Sequence, residues 1–129
     1  MEIIHATGIE GAREARGIAV VIDVLRSFTV SAYALAGGAR ECRLVTTTDE
    51  ARVLAASIQG AVVSAEENAL PLPGIAISNS PTQIKAADLK RRVLVQRSTA
   101  GTQVAAAVRD GVDIFAASLV VAKLGTAVA

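Results

Sequence analysis

At 129 residues the chain has the size of one domain with a single core. A formal charge of +1 and only three aromatic residues, Phe28, Tyr33 and Phe115, give neither the basic footprint of a nucleic-acid binder nor a stacking platform for single strands. Hydrophobic content is 52%, yet much of it is alanine, and no uncharged run approaches the length of a bilayer-spanning helix. The N-terminus lacks the basic-then-apolar order of a signal peptide. The single cysteine, Cys42, excludes an internal disulfide framework and fits a reducing compartment, so a cytoplasmic location without membrane contact is expected.

In chain order, Glu2 to Ala6 reads as a short first strand, and Gly8 to Gly17 as a loop or a poorly formed helix. Ile18 to Ile22 is a run of five apolar residues, mostly β-branched, as in a strand buried on both faces. Asp23 follows directly, then Arg26 and Ser27, then a helix with Phe28, Ala32, Leu35 and Ala36 inward and Gly37-Gly38 as its stop. Cys42 to Thr46 forms a strand. Thr48-Asp49 cap a helix that buries Ala51, Leu54, Ala55 and Ile58 and ends at Gly60. Ala61 to Ala65 is a buried strand with Glu66-Glu67 at its end, and Asn68 to Ser78 is a proline-containing loop.

Asn79-Ser80-Pro81 has the form of a helix start, with a capping side chain and proline at the first helical position. Arg92 to Gln96 is a strand ending in Arg97-Ser98-Thr99. Gly101 and Thr102 open a helix with Val104, Ala105 and Val108 inward, closing near Gly111. Asp113 to Ala117 is a last strand, and from Ser118 a helix is expected to run to the chain end. Strands alternating with helices predict a single α/β domain over residues 1–129: a mostly parallel sheet with helices on both faces, a Rossmann-like layered α/β/α arrangement.

Polar groups follow nearly every strand, and in open α/β sheets ligands bind outside the carboxyl ends of the strands. Asp23 and Glu66 suit a shared hard cation such as Mg²⁺ with waters and a substrate oxygen. Arg26 and Arg97 suit bidentate clamping of phosphate, sulfonate or carboxylate. Backbone amides after Ser27, Ser80 and Gly101 add anion-binding helix starts. His5, Cys42, Asp49-Glu50 and Arg109-Asp110 read as structural or solvating, Lys90-Arg91-Arg92 as a solvated loop, and no Walker loop or dinucleotide fingerprint is present.

The segments VVIDVLRSFTVSAYALAGGA, GIAISNSP at Gly74 to Pro81, LVQRSTAGTQ at Leu94 to Gln103 and SLVVA at Ser118 to Ala122, in this order, resemble the 2-phosphosulfolactate phosphatases. The resemblance implies an α/β phosphatase fold and Mg²⁺-dependent hydrolysis of 2-phosphosulfolactate to sulfolactate and phosphate, a step on the route to coenzyme M. Asp23, Arg26, Glu66, Asn79, Ser80, Pro81, Gly101 and Thr102 stand where family motif residues stand. The expected site has Asp23, Arg26, Ser27 and Glu66 as catalytic residues, with Asp23 and Glu66 also on the metal. Arg97, Ser98, Asn79, Ser80, Gly101 and Thr102 would hold a small anionic phosphorylated metabolite. Ser27 and Ser98 are candidate nucleophiles, and a metal-activated water needs neither.

Three departures accompany the resemblance. Ala76 replaces an acidic family residue, Glu67-Asn68 changes the charge after Glu66, and the chain matches about the N-terminal half of the longer family chains. A fragment, a degenerate copy and a shortened paralogue share this signature. The alternative to an enzyme is a non-catalytic homologue that binds a small anion or a partner chain, and a truncated sheet predicts homo-oligomers or poor solubility.

Overall fold

The computed structural model of the protein describes residues 1–109 and 111–122. In order these form α1 (Gly8–Arg13), β1 (Ile18–Ile22), α2 (Ser27–Ala36), β2 (Glu41–Val45), α3 (Thr48–Ala56), β3 (Val62–Glu67) and β4 (Leu70–Pro71). Then come α4 (Pro81–Ala86), β5 (Val93–Arg97), α5 (Gly101–Ala107), β6 (Asp113–Ala117) and a 3₁₀ turn, Leu119–Val121.

The strands form an open, mostly parallel α/β arrangement in two hydrogen-bonded pieces, β2-β5-β3-β4 and β1-β6. Within the larger piece β5 is central, pairing parallel with β2 and β3, and only the two-residue β4 is antiparallel. Period-two alternation along β5 assigns its two faces. Val93 and Val95 pack with Val45, Ala51 and Leu54 against α3, while Leu94 packs with Val30, Ala34 and Ile84 from α2 and α4. Helices therefore cover both faces of this sheet. Each fully buried aliphatic side chain here contributes ~1.5–3 kcal/mol by leaving water.

The smaller piece is covered on one face only. Val21 joins Ala12, Phe28, Ala105 and Val108, while Ile18, Val20 and Ile22 remain 67%, 58% and 69% exposed. Phe115, beside Val20 in the register, is 50% exposed. The apolar run of β1 was expected to be buried on both faces, and this expectation is corrected: α1 and α5 supply one layer, and among the described residues no second layer meets the other.

Other expectations need smaller corrections. Glu2 to Ala6 forms no strand and is exposed, so β1 lacks a partner there. Helix α2 buries Ser27, Phe28, Thr29, Val30 and Ala34, whereas Leu35 and Ala36 are exposed. The burial follows its packing between the two sheet pieces rather than the hydrophobic stripe. Its stop is as expected: Gly38 takes φ 95° and Ala39 N–H reaches back to Ala34 O at 3.0 Å.

Thr47, one residue before the expected cap, accepts from Glu50 N–H at 3.0 Å to start α3. The Glu50 carboxylate in turn accepts from Thr46 N–H at 2.9 Å, a bond that holds its pKa below the ordinary carboxylate value. At α4 the capping Ser80 and the first-position Pro81 stand as read. After Ser118 the described chain makes only the 3₁₀ turn; the rest of the expected last helix, and Asp110, lie outside the described residues.

Candidate active site

Asp23 leaves β1 and Ser27 opens α2 four residues later, while Ser98 leaves β5 just before α5 begins at Gly101. The two strand-to-helix turns meet closely because residue 101 has no side chain. A Cβ built there would stand 2.6 Å from Asp23 Oδ2, 2.6 Å from Ser27 Cβ and 2.8 Å from Ser27 Oγ. No substituent fits into that space.

Hydroxyls fix the second turn from within. Ser98 N–H donates to Thr102 Oγ1 at 2.9 Å, and Thr102 Oγ1 donates to Ser98 O at 2.9 Å. Thr102 N–H donates to Ser98 Oγ at 3.1 Å, which caps the start of α5. Ser98 Oγ then bonds Ser27 Oγ across the site at 3.1 Å, with Ser27, Ser98 and Thr102 all buried. Helix α2 begins without a side-chain cap, so no side chain takes up its opening amides.

Beneath this layer sits Gln96, fully buried. Its Nε2 donates to Ser27 O at 2.8 Å and also reaches Ser27 Oγ and Asn79 Oδ1, both at 3.3 Å. Its Oε1 accepts from Ser31 Oγ at 2.5 Å. Gln96 therefore couples α2, β5 and the Asn79 turn. Sequence reasoning placed it in a strand and gave it no role. The signal was an amide on the inward face of an otherwise apolar strand, since buried polar groups are almost always bonded.

Glu66 is 4% exposed, and both of its oxygens already have partners. Oε1 accepts from Thr99 N–H at 2.5 Å, and Oε2 accepts from Ala69 N–H at 2.6 Å and Thr99 Oγ1 at 3.1 Å. Thr99 Oγ1 also accepts from Asn68 N–H at 2.8 Å. Asn68 and Ala69 occupy left-handed backbone, φ 51° and 64°, which costs non-glycine residues ~1–2 kcal/mol each. Glu66 ties this turn to the Ser98–Thr102 turn.

Arg97 lies on the opposite face of β5 from Gln96 and Ser98, by alternation. Its guanidinium donates to Glu66 O, to Thr46 O at 3.4 Å and to Thr99 Oγ1 at 3.4 Å, and stands 3.9 Å from Glu67. It braces strand ends instead of standing free for an anion. Arg26 stands at the N-cap of α2 and makes no side-chain capping bond there. Ser80 caps α4 through Gln83 N–H at 3.4 Å. Ala76 is exposed and lines a shallow depression with Arg52 and Val63.

Of the expected residues, the structure thus brings Asp23, Ser27, Ser98, Gly101 and Thr102 together, with Asn79 joined through Gln96. Glu66 lies beside them as an anchor, and Arg26 at the rim. Asp23 Oδ1 is buried with no protein partner. Among the described residues no three His, Cys, Asp or Glu side chains gather to hold a metal ion. This donor set fits a mostly hydrated Mg²⁺ held by one carboxylate and by ligand oxygens, and does not fit a closed protein cage.

Cys42 takes no part. Its Sγ donates to Ser31 O at 3.8 Å, and burial, then the Glu41 charge, push its thiol up to about 11. A raised pKa keeps the thiol protonated until pH passes the folded value, so about one molecule in a thousand carries the thiolate at pH 8. Iodoacetamide should label native protein far more slowly than urea-unfolded protein at that pH. Equal rates would contradict the burial.

The protein is an open, mostly parallel α/β fold that gathers the buried hydroxyls of Ser27, Ser98 and Thr102 and the buried carboxylate of Glu66 at its strand ends. Residues 4–126 match the family described as 2-phosphosulpholactate phosphatase, and the chain belongs to that family. Among curated relatives, the probable 2-phosphosulfolactate phosphatase of Bacillus subtilis is 36% identical over 98 residues, 76% of this chain and 43% of the relative. That of Carboxydothermus hydrogenoformans is 36% identical over 104 residues, 81% of this chain and 43% of the relative. That of Deinococcus radiodurans is 33% identical over 85 residues, 66% of this chain and 35% of the relative. The matched segment is less than half the length of each.

Proposed function

We propose that the chain is a phosphoric monoester hydrolase that takes 2-phosphosulfolactate and water to sulfolactate and inorganic phosphate. The observation carrying this reading is the contact at Gly101, where the Asp23 carboxylate and the Ser27 hydroxyl are held within van der Waals reach of one backbone position. Family membership and the names of the relatives support the substrate.

In this reading the phosphoryl oxygens lie against the opening amides of α2, whose dipoles are fixed before substrate arrives, and the internally bonded Ser98–Thr102 turn holds α5 against them. Arg26 at the rim meets the sulfonate or carboxylate. Gln96 holds the Ser27 carbonyl and hydroxyl so that α2 keeps its distance from β5. Asp23 takes a proton from water or orients it as the water oxygen bonds to phosphorus and the ester P–O bond breaks; the ester oxygen takes up one proton from solvent and leaves as the sulfolactate hydroxyl, and the proton lost by the attacking water returns to solvent. Mg²⁺ held at Asp23 would supply charge neutralisation on the phosphoryl oxygens. Glu66 keeps its place as loop anchor.

The test is phosphate release from 2-phosphosulfolactate and a panel of small phosphate esters, with and without Mg²⁺. Mg²⁺-dependent turnover favouring the sulfonated ester is expected; folded protein that releases no phosphate from any ester contradicts the reading. In that event the second reading gains: an anion- or partner-binding module. The exposed Ile18, Val20, Ile22 and Phe115 support it, as an apolar face open to a second polypeptide. Light scattering should then show self-association, and a clean monomer would count against it.

A further inference from the structure

We infer that Ser118 is a further ligand-contacting residue of this site, and that its hydroxyl and Asp23 Oδ1 together hold one water molecule, free or carried by a divalent cation. The inference rests on the phosphatase reading of the site. Among the described residues, the only buried side-chain polar atoms without a hydrogen-bond partner are Asp23 Oδ1 and Ser118 Oγ. Such orphans are rare in folded proteins and mark a missing water, ion or ligand.

These two orphans are neighbours in the fold. Ile22 pairs with Ala117 at the end of the β1-β6 ladder, and Asp23 N–H donates to Ala117 O at 2.9 Å. Asp23 and Ser118 therefore occupy adjacent positions one step further on. Paired residues of a parallel ladder share a face, and Ser118 keeps extended backbone at φ −143° and ψ 173°, so the alternation continues through it. Ile18, Val20 and Ile22 mark the bare face; Asp23 and Ser118 turn to the other, where Asp23 Oδ2 meets Gly101.

A structural duty for Ser118 would show as a bond. It stands at the N-cap of the 3₁₀ turn, yet its side chain makes no capping bond, and the residue is 3% exposed. The two groups are chemically complementary. An ionised carboxylate only accepts, while a hydroxyl also donates. One water can donate to Asp23 Oδ1 and accept from Ser118 Oγ, with its second hydrogen and remaining lone pair left for substrate or cation.

The experiment compares wild type, Ser118→Ala and Ser118→Thr by thermal melting, alone and with inorganic phosphate, MgCl₂ or both, and by phosphate release. Alone, Ser118→Ala should melt close to wild type, because it loses at most one water-mediated bond and no bond to another protein group. Its stabilisation by added probe should fall, and its kcat should drop ~10- to 100-fold at nearly unchanged KM; Ser118→Thr should recover part of both. A deficit with phosphate alone assigns a free water, and a deficit confined to the Mg²⁺ arms assigns a cation-borne one. The inference is overturned if Ser118→Ala melts well below wild type alone, or if it keeps wild-type probe shifts and kcat. Wild type showing neither shift nor turnover overturns the phosphatase reading itself and the inference with it, a result visible without any variant.

Discussion

Gly101→Ala should leave a folded chain that has lost most of its phosphate-releasing activity, by ~10²-fold or more. The reason is space. The added methyl would sit 2.6 Å from both Asp23 Oδ2 and Ser27 Cβ, and Ser27 Cβ is fixed to the first turn of α2. A side-chain rotation of Asp23 relieves one overlap and leaves the other, so α2 and α5 must move apart. That separation stretches the Ser27–Ser98 bond of 3.1 Å and shifts the acceptor at Asp23. Overpacking of this kind costs ~1–3 kcal/mol. Melting should therefore fall only modestly while turnover collapses. Near-wild-type turnover would show that the two helix starts need not touch.

Glu66→Gln should have the largest effect on stability, with loss of activity following from it. The substitution keeps the shape and removes an acceptor. Three donors converge on the carboxylate, namely the N–H groups of Ala69 and Thr99 and the Thr99 hydroxyl, and a carboxamide must turn its NH₂ toward at least one of them. A buried donor left unmet costs ~1–3 kcal/mol, and charge-assisted bonds lie toward the upper end. The left-handed Asn68-Ala69 turn would lose its clamp as well. A urea midpoint lowered by the equivalent of ~2 kcal/mol is expected, with m-value unchanged. If the variant is as stable as wild type and loses only Mg²⁺ dependence, Glu66 is a metal ligand, and the anchor role assigned to it is wrong.

Much of this architecture is legible in the residues themselves. The strands read at Ile18 to Ile22 and Arg92 to Gln96 stand as β1 and, one residue further on, β5, and the Asn79-Ser80-Pro81 start and the Gly37-Gly38 stop depend on local chemistry that needs no tertiary context. What was misread depended on partners distant in the sequence. An apolar run such as Ile18–Ile22 says that it can be buried on both sides, not that two layers exist to bury it. The inward face of α2 was read from apolar periodicity, yet the helix buries Ser27 and Thr29, because its first turn is packed into a polar site. Arg97 and Glu66 have the right residue types at the right strand ends. Whether such a group faces a ligand or braces a loop depends on backbone carbonyls and amides supplied from elsewhere, at Thr46, Ala69 and Thr99.

That Asp23, Ser27, Ser98 and Gly101 come together was legible, because strand ends of a parallel sheet converge whatever the details. The place of Gln96 at their hub was not. Gln96 differs from its neighbours only in being polar, and its bonds to Ser27, Ser31 and Asn79 span separations of 69, 65 and 17 residues.

The most direct measurement is a titration of ¹⁵N-labelled protein with inorganic phosphate, in the presence of Mg²⁺, followed by amide shifts. The largest changes should fall on the first turn of α2, Ser27 to Thr29, and on Ser98 to Thr102, and should vanish in Gly101→Ala. Shifts centred on the basic loop Lys90 to Arg92, or no saturable shifts at all, would contradict an oxyanion site at the meeting of β1 and β5.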